Sequence, residues 1–205
     1  MMDMAITEGR VISERDLQRL LQKTREAKNL AIKTKAHLIH IQDHYMFSIC
    51  HGTGVRVDEL RRIKWKHFLE GQAVLRVLGK GKKLREVDLG DTVSKRFKEF
   101  KRVSTAILKR PCLDDDYIFI SNKGGPYRSR SGLWRRMVYW RKRAEFENQS
   151  MSFHGIRHKW STTALNGGVN LKRVSLNLGH SKVSTTLDLY YHLTEDSKQK
   201  IKELF

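Results

Sequence analysis

The sequence predicts an α+β fold, mostly α-helical with a small antiparallel β-sheet. Apolar residues recur at helical spacing through most of the 205 residues. One stretch, residues 73–89, switches to short strand-like runs around a glycine- and lysine-rich tip. No internal repeat or long linker divides the chain, and its length fits one domain at roughly 100–200 residues each. With 39% hydrophobic residues and two prolines it has material for a core, which excludes a disordered basic tail.

Residues 1–11 read as a flexible leader. Ser13-Glu14-Arg15-Asp16 resembles a capping box and predicts a short amphipathic helix to about Ala27, with Leu17, Leu20 and Leu21 inward. From Ala36 to Cys50 the apolar positions are dense enough for a buried helix, stopped at His51-Gly52-Thr53-Gly54. A third helix begins near Val55 and carries Leu60 and Ile63 inward. Val74, Leu75, Val77 and Leu78, then Val87 and Leu89 alternating with Glu86 and Asp88, form a β-hairpin whose tip is Gly79-Lys80-Gly81-Lys82-Lys83. Val93, Phe97, Phe100, Val103 and Ile107 restore helical spacing up to Arg110-Pro111, and Tyr117–Ile120 reads as a short strand within a flexible join, 108–130. Leu133, Met137, Trp140 and Ala144 line one face of the next helix. Segments around 153–166, 171–178, 184–193 and 195–204 complete the helical set.

Forty-one Lys and Arg against 22 Asp and Glu give a net charge of +19, which calls for a polyanionic partner. Cys50 and Cys112 lie far apart, supporting neither a disulfide framework nor a zinc ribbon, and a reducing cytoplasm fits them. No apolar run reaches the length of a membrane span and no export signal is visible, so no membrane role is expected. Motifs for a nucleotide P-loop, a zinc protease or a serine nucleophile elbow are absent.

Arginine, histidine, lysine and tyrosine remain to carry chemistry. His154 and Arg157 stand at i and i+3, so a helix would project both from one face toward a single phosphate. Arg56 follows the Gly52-Thr53-Gly54 break at a helix start, where backbone N–H groups favour an anion. His180 follows the Leu178-Gly179 stop, and Tyr190 and Tyr191 come soon after. Two arginines and two histidines on a phosphate, with a lysine on the hairpin tip and a tyrosine nearby, suit phosphodiester transesterification without a metal. Guanidinium forks stabilise the charge that a pentacoordinate phosphorane concentrates on its oxygens. Arg128, Arg130, Arg135 and Arg136, near Trp134, Tyr139 and Trp140, together with Lys82 and Lys83, suit backbone phosphate contacts.

Thr53–Leu60, Gly79–Arg85, His154–His158, Leu178–Ser181 and Tyr190-Tyr191-His192 resemble, in order, the motifs of the tyrosine recombinases, the lambda-integrase and Xer family. The resemblance covers residues 12–193 and implies the catalytic domain of a site-specific recombinase. It implies that Arg56 and Arg157 bind the scissile phosphate, Lys80 protonates the leaving 5′ oxygen, His154 and His180 hydrogen-bond the phosphate or assist proton transfer, and Glu59 orients the site. Tyr190 would form a 3′-phosphotyrosyl link, needing no cofactor. The family's tyrosine usually lies nine positions after this histidine, where Leu189 stands here; Tyr190 fits the Tyr-x-His tail through His192, and Tyr191 is the alternative nucleophile.

The implied partners are double-stranded DNA, further copies in a dimer or tetramer on that DNA, and a partner recombinase, with action at the nucleoid. Only 35 residues precede the buried helix, so no N-terminal core-binding domain is expected, and residues 194–205 are expected to form a C-terminal helix. A rival reading is a DNA-binding accessory or degenerate recombinase that assists a complete one.

Overall fold

A computed structural model describes residues 12–36, 38–79, 83–121, 124–146 and 151–180. Its first helix, α1 (Glu14–Thr34), starts where the Ser13 hydroxyl accepts the Asp16 N–H at 3.0 Å, and Leu17, Leu20 and Leu21 face inward as expected. The helix runs well past Ala27. Leu30 and Ile32 are exposed there, and buried Lys28 does the anchoring by pairing with Glu99 at 3.1 Å over the Tyr45 ring. An ion pair to a distant residue leaves no periodic trace, so apolar spacing ends the helix too early.

Helix α2 (Leu38–Thr53) is buried at every position from Asp43 to Cys50 and packs against α1, α4 (Asp91–Leu108) and α6 (Phe153–Asn166). A helix covered on all sides must satisfy its own polar groups inside the protein. The Asp43 carboxylate accepts from Trp140 Nε1 at 2.7 Å and from Arg136 Nε at 2.9 Å. His44 Nδ1 meets the Thr24 hydroxyl at 3.2 Å, and burial pushes its pKa down to about 4, so it sits there neutral. Around this helix the aromatic rings interlock, with Tyr45 and Phe100 centroids 4.4 Å apart and Phe68 and Phe97 4.8 Å apart.

The expected third helix is a single turn, α3 (Val57–Leu60), with Leu60 and Ile63 buried. Three antiparallel strands follow in the order β1 (Phe68–Leu69), β2 (Val74–Leu78), β3 (Leu84–Asp88), the last two forming the predicted hairpin. Strand β1, two residues long, offers no alternation to read. In the hairpin Leu75 faces Val87 and Val77 faces Arg85; Leu75, Val77 and Val87 are buried, so Arg85 also belongs to the inward face.

Residues 117–120 form no strand. Single bridges join Lys64 to Tyr117 and Ile120 to Pro126, and the Ile120 N–H is taken by the Gln42 side chain at 2.8 Å. The facing chain turns into 3₁₀ helix at Trp65–His67, so no ladder can extend. Nor is the join loose over its described residues: Trp65 N–H donates to the Asp116 carbonyl and Ile118 N–H to that of Ile63. Helix α5 (Arg130–Arg143) buries Leu133, Met137 and Trp140, with Ala144 just beyond its end, while α6 and α7 (Leu171–Leu178) match their predicted spans. The leader and the segments 184–193 and 195–204 lie outside the described residues.

Asp43→Ala would leave the Arg136 guanidinium half-buried without its carboxylate and orphan the Trp140 N–H. It is expected to cost about 3–5 kcal/mol in urea unfolding. A loss below about 1 kcal/mol, the range of an exposed pair, would show that this carboxylate does not hold α5 to α2.

Candidate active site

The site grows from two backbone reversals. At the first, Gly54 follows the end of α2 with φ +62°, and a Cβ there would lie 2.7 Å from the Trp160 ring, so glycine alone fits. The chain then enters α3 at Arg56, whose N–H donates to Glu59 Oε2 at 2.8 Å. Glu59 is buried, at 5% exposure, and takes a forked contact from Arg85: Nη1 to Oε1 at 2.7 Å and Nη2 to Oε2 at 2.8 Å. Arg56 Nη1 adds a longer bond to Oε1 at 3.2 Å. Burial alone would raise the pKa of this carboxyl, but the Arg85 fork and Arg56 override it and hold it below the usual value.

The second reversal is Gly179, φ +64°, which ends α7 and leaves carbonyls at the helix C-terminus for cations to fill. Arg56 donates to the carbonyls of Leu178 at 3.0 Å and Gly179 at 3.2 Å. Arg157, buried on α6, donates to the same Leu178 carbonyl at 2.7 Å and to that of Gly54 at 2.6 Å. One carbonyl oxygen therefore holds both guanidiniums side by side. Burial, then the neighbouring Arg56, pushes the Arg157 pKa down to about 9, which leaves it charged at neutral pH.

His180 completes the group, with Nε2 3.1 Å from Arg157 Nη2. A guanidinium can only donate, so His180 Nε2 is the acceptor and the ring proton sits on Nδ1. Burial and the two arginines, Arg157 ahead of Arg56, hold its pKa down at about 4, in keeping with that neutral ring.

The structure thus brings Arg56, Glu59, Arg157 and His180 together. It does not place His154 and Arg157 on one phosphate-facing surface: Arg157 turns inward, while His154 is exposed with Nε2 2.6 Å from His158 Nε2. Burial first, then His154 and Arg157, push the His158 pKa down to about 4. Lys83, Arg128, Arg130 and Arg135 are exposed and available to a polyanion. Arg136 corrects the expectation of a phosphate contact, because Asp43 and the Tyr139 ring, 4.6 Å away, already engage it. Lys80, Lys82, Tyr190 and Tyr191 lie outside the described residues.

Arg85 had no role assigned from sequence, yet a signal was there. Extending the alternation of Val87 and Leu89 back by one step puts Arg85 on the inward face, where a charge needs a partner. Among the described residues no group of three or more His, Cys, Asp or Glu side chains could hold a metal ion, and no helix is long and apolar enough to cross a membrane.

The phage integrase family pattern matches residues 10–197. The chain belongs to the phage integrase family. Tyrosine recombinase XerD of Haemophilus ducreyi is 30% identical to this integrase-family chain over 167 residues, covering 82% of it and 55% of that protein. XerD of Corynebacterium glutamicum is 31% identical over 166 residues, 80% of this chain and 52% of the other. The fold superposes on XerA recombinase with a TM-score of 0.72 at 24% identity, covering 95% of this chain and 64% of that one. XerH recombinase bound to a palindromic difH substrate gives 0.72 at 18% identity, covering 97% and 53%. These likenesses agree with a mostly helical catalytic-domain fold bearing a small antiparallel sheet. The chain spans just over half the length of these two XerD relatives.

His44, His158 and His180 have folded pKa values held down near 4 against an ordinary value of 6.5. Between those limits the unfolded chain binds protons that the folded one refuses, so stability falls as pH drops from about 6.5 toward 4. The urea midpoint is expected to decline through pH 6 and 5, before the carboxylates titrate. A midpoint flat from pH 7 to pH 5 would show that these rings are charged in the fold.

Proposed function

We propose that this chain is the catalytic domain of a metal-independent, site-specific tyrosine recombinase that cleaves and rejoins duplex DNA for integration, excision or inversion. One observation carries the reading: Arg56 and Arg157 are held side by side on the Leu178 carbonyl, with His180 against Arg157. Adjacent guanidiniums held in this way can turn N–H groups from these carbonyls onto one phosphate. Paired guanidiniums at fixed spacing match two oxygens of one phosphate and stabilise the transition state more than the ground state.

In this reading the phenolic proton of Tyr190 passes to a base or water, Oη attacks phosphorus and the bond to the 5′ oxygen breaks. Lys80 gives that oxygen its proton, leaving a 3′-phosphotyrosyl link. Attack by a 5′ hydroxyl of a second duplex reverses the steps and transfers the strand. Neutral His180, its Nε2 accepting from Arg157, keeps its Nδ1 proton as the one it can donate. Strand exchange needs two sites, hence a dimer or tetramer on DNA acting at the nucleoid, with a partner recombinase where the second site is not its own. Arg128, Arg130, Arg135, Lys82 and Lys83 serve the backbone. That XerH and the Tn1549 integrase have been solved with DNA supports the substrate class.

Nicked duplexes tiled across the DNA flanking the gene should trap an SDS-resistant protein–DNA adduct. Tyr190→Phe is expected to abolish it and Tyr191→Phe to retain it, since Tyr190 is the one that fits the Tyr-x-His pattern through His192. Arg157→Lys should slow adduct formation by about 10²–10³-fold. Loss in Tyr191→Phe alone would transfer the nucleophile's role, and salt-sensitive binding with no adduct in the wild type would overturn the reading.

A further inference from the structure

Arg85 occupies a position that the phosphate-binding motifs do not explain. It stands on the inward face of the hairpin opposite Val77, where a strand ordinarily places an apolar side chain. Its guanidinium reaches two other elements: Nη1 and Nη2 fork onto Glu59 of α3, and Nε donates to the Asn177 carbonyl of α7 at 3.0 Å. The enclosure is close. A Cβ on Gly179 would meet Arg85 Cδ and Nε at 2.9 Å, and one on Gly79 would meet Nη1 at 3.4 Å.

We propose that Arg85 is a positioning residue for the phosphate clamp. Through Glu59, whose Oε1 it shares with Arg56, it sets where Arg56 begins α3. Through Asn177 it sets the last turn of α7, and with it the Leu178 and Gly179 carbonyls on which the clamp arginines rest. It also fixes the charge of the cluster. Three guanidiniums, Arg56, Arg85 and Arg157, surround the one carboxylate of Glu59, leaving a net excess of two positive charges for an incoming anion. A lysine at position 85 would keep the charge but not the fork, since an ammonium cannot span both carboxylate oxygens and the carbonyl in one plane. The effect on anion binding follows from geometry alone, whereas the effect on strand cleavage rests on the recombinase reading.

The test compares wild type, Arg85→Lys and Arg85→Ala, each checked for folding by circular dichroism. Calorimetric binding of inorganic phosphate is measured first, the clamp's share being the part that Arg157→Lys loses. Arg85→Ala should lose that share entirely and Arg85→Lys most of it. Single-turnover adduct formation is then followed on nicked duplexes carrying either an ordinary phosphodiester or a methylphosphonate at the cleaved position. The methylphosphonate lacks one anionic oxygen, so its transition state leans less on the clamp.

Arg85→Lys should slow cleavage of the ordinary duplex by about 10–100-fold, with duplex affinity unchanged and a smaller defect on the methylphosphonate. Equal defects on both substrates with phosphate binding intact would reduce Arg85 to a structural tie and overturn the proposal. If the wild type forms no adduct on any duplex, the recombinase reading fails, and the phosphate titration still decides for or against Arg85.

Discussion

A buried carboxylate ringed by guanidiniums is the constraint on which the site depends. Glu59 is 5% exposed, and a charge in that position is tolerated only while paired and hydrogen-bonded. Its oxygens accept from the Arg56 backbone, the Arg56 side chain and both terminal nitrogens of Arg85. These partners come from α3 and β3, and Arg85 in turn reaches α7. Segments far apart in sequence thereby acquire one geometry. The Glu59 carboxylate also offsets part of the repulsion among Arg56, Arg85 and Arg157, which would otherwise oppose bringing three cations this close.

Backbone carbonyls of Gly54, Leu178 and Gly179 accept N–H groups of Arg56 and Arg157, and a carbonyl is a dipole rather than a counter-ion. Among the described residues, only the single longer bond from Arg56 Nη1 to Glu59 brings one of the two onto a carboxylate. In the proposed reaction a phosphate would offer these N–H groups a charged acceptor in place of a weaker one, with the largest gain when charge on its oxygens peaks. Preorganisation is bought by burial: Arg157 is 5% exposed, and the cost of desolvating it appears as its lowered pKa. His180 belongs to the same balance, since burial first and the positive neighbours next keep it neutral.

The sequence was most legible where periodicity and glycine coincide. Leu133, Met137 and Trp140 announced α5, and the Gly79–Lys83 tip announced the hairpin. The grouping of Arg56, Arg157 and His180 followed from a motif order that single residues could not have supplied. What stayed hidden was made by long-range polar pairs: Lys28 with Glu99 extending α1, Asp43 claiming Arg136, and Gln42 capping the Ile120 N–H in place of a strand. Such pairs have no local period, and a basic face reads the same whether its arginines meet solvent, phosphate or a buried carboxylate. His154 shows the same limit, for i,i+3 spacing placed it beside Arg157 without saying that one would be buried and the other exposed.

The packing fixes the cluster before any ligand is considered. Arg56, Arg157 and His180 stand on or beside elements whose ends are set by Gly54 and Gly179. Lys80 and Tyr190, to which the proposed chemistry gives proton donation and attack, lie outside the described residues. The described part of the hairpin closes with the Gly79 N–H on the Lys83 carbonyl at 2.9 Å, against the Arg85 guanidinium, and His180 rests against Arg157. Whatever fixes Glu59 and the Leu178 carbonyl therefore fixes the base of the hairpin and the place of His180 as well. The proposed chemistry takes this cluster as its fixed origin.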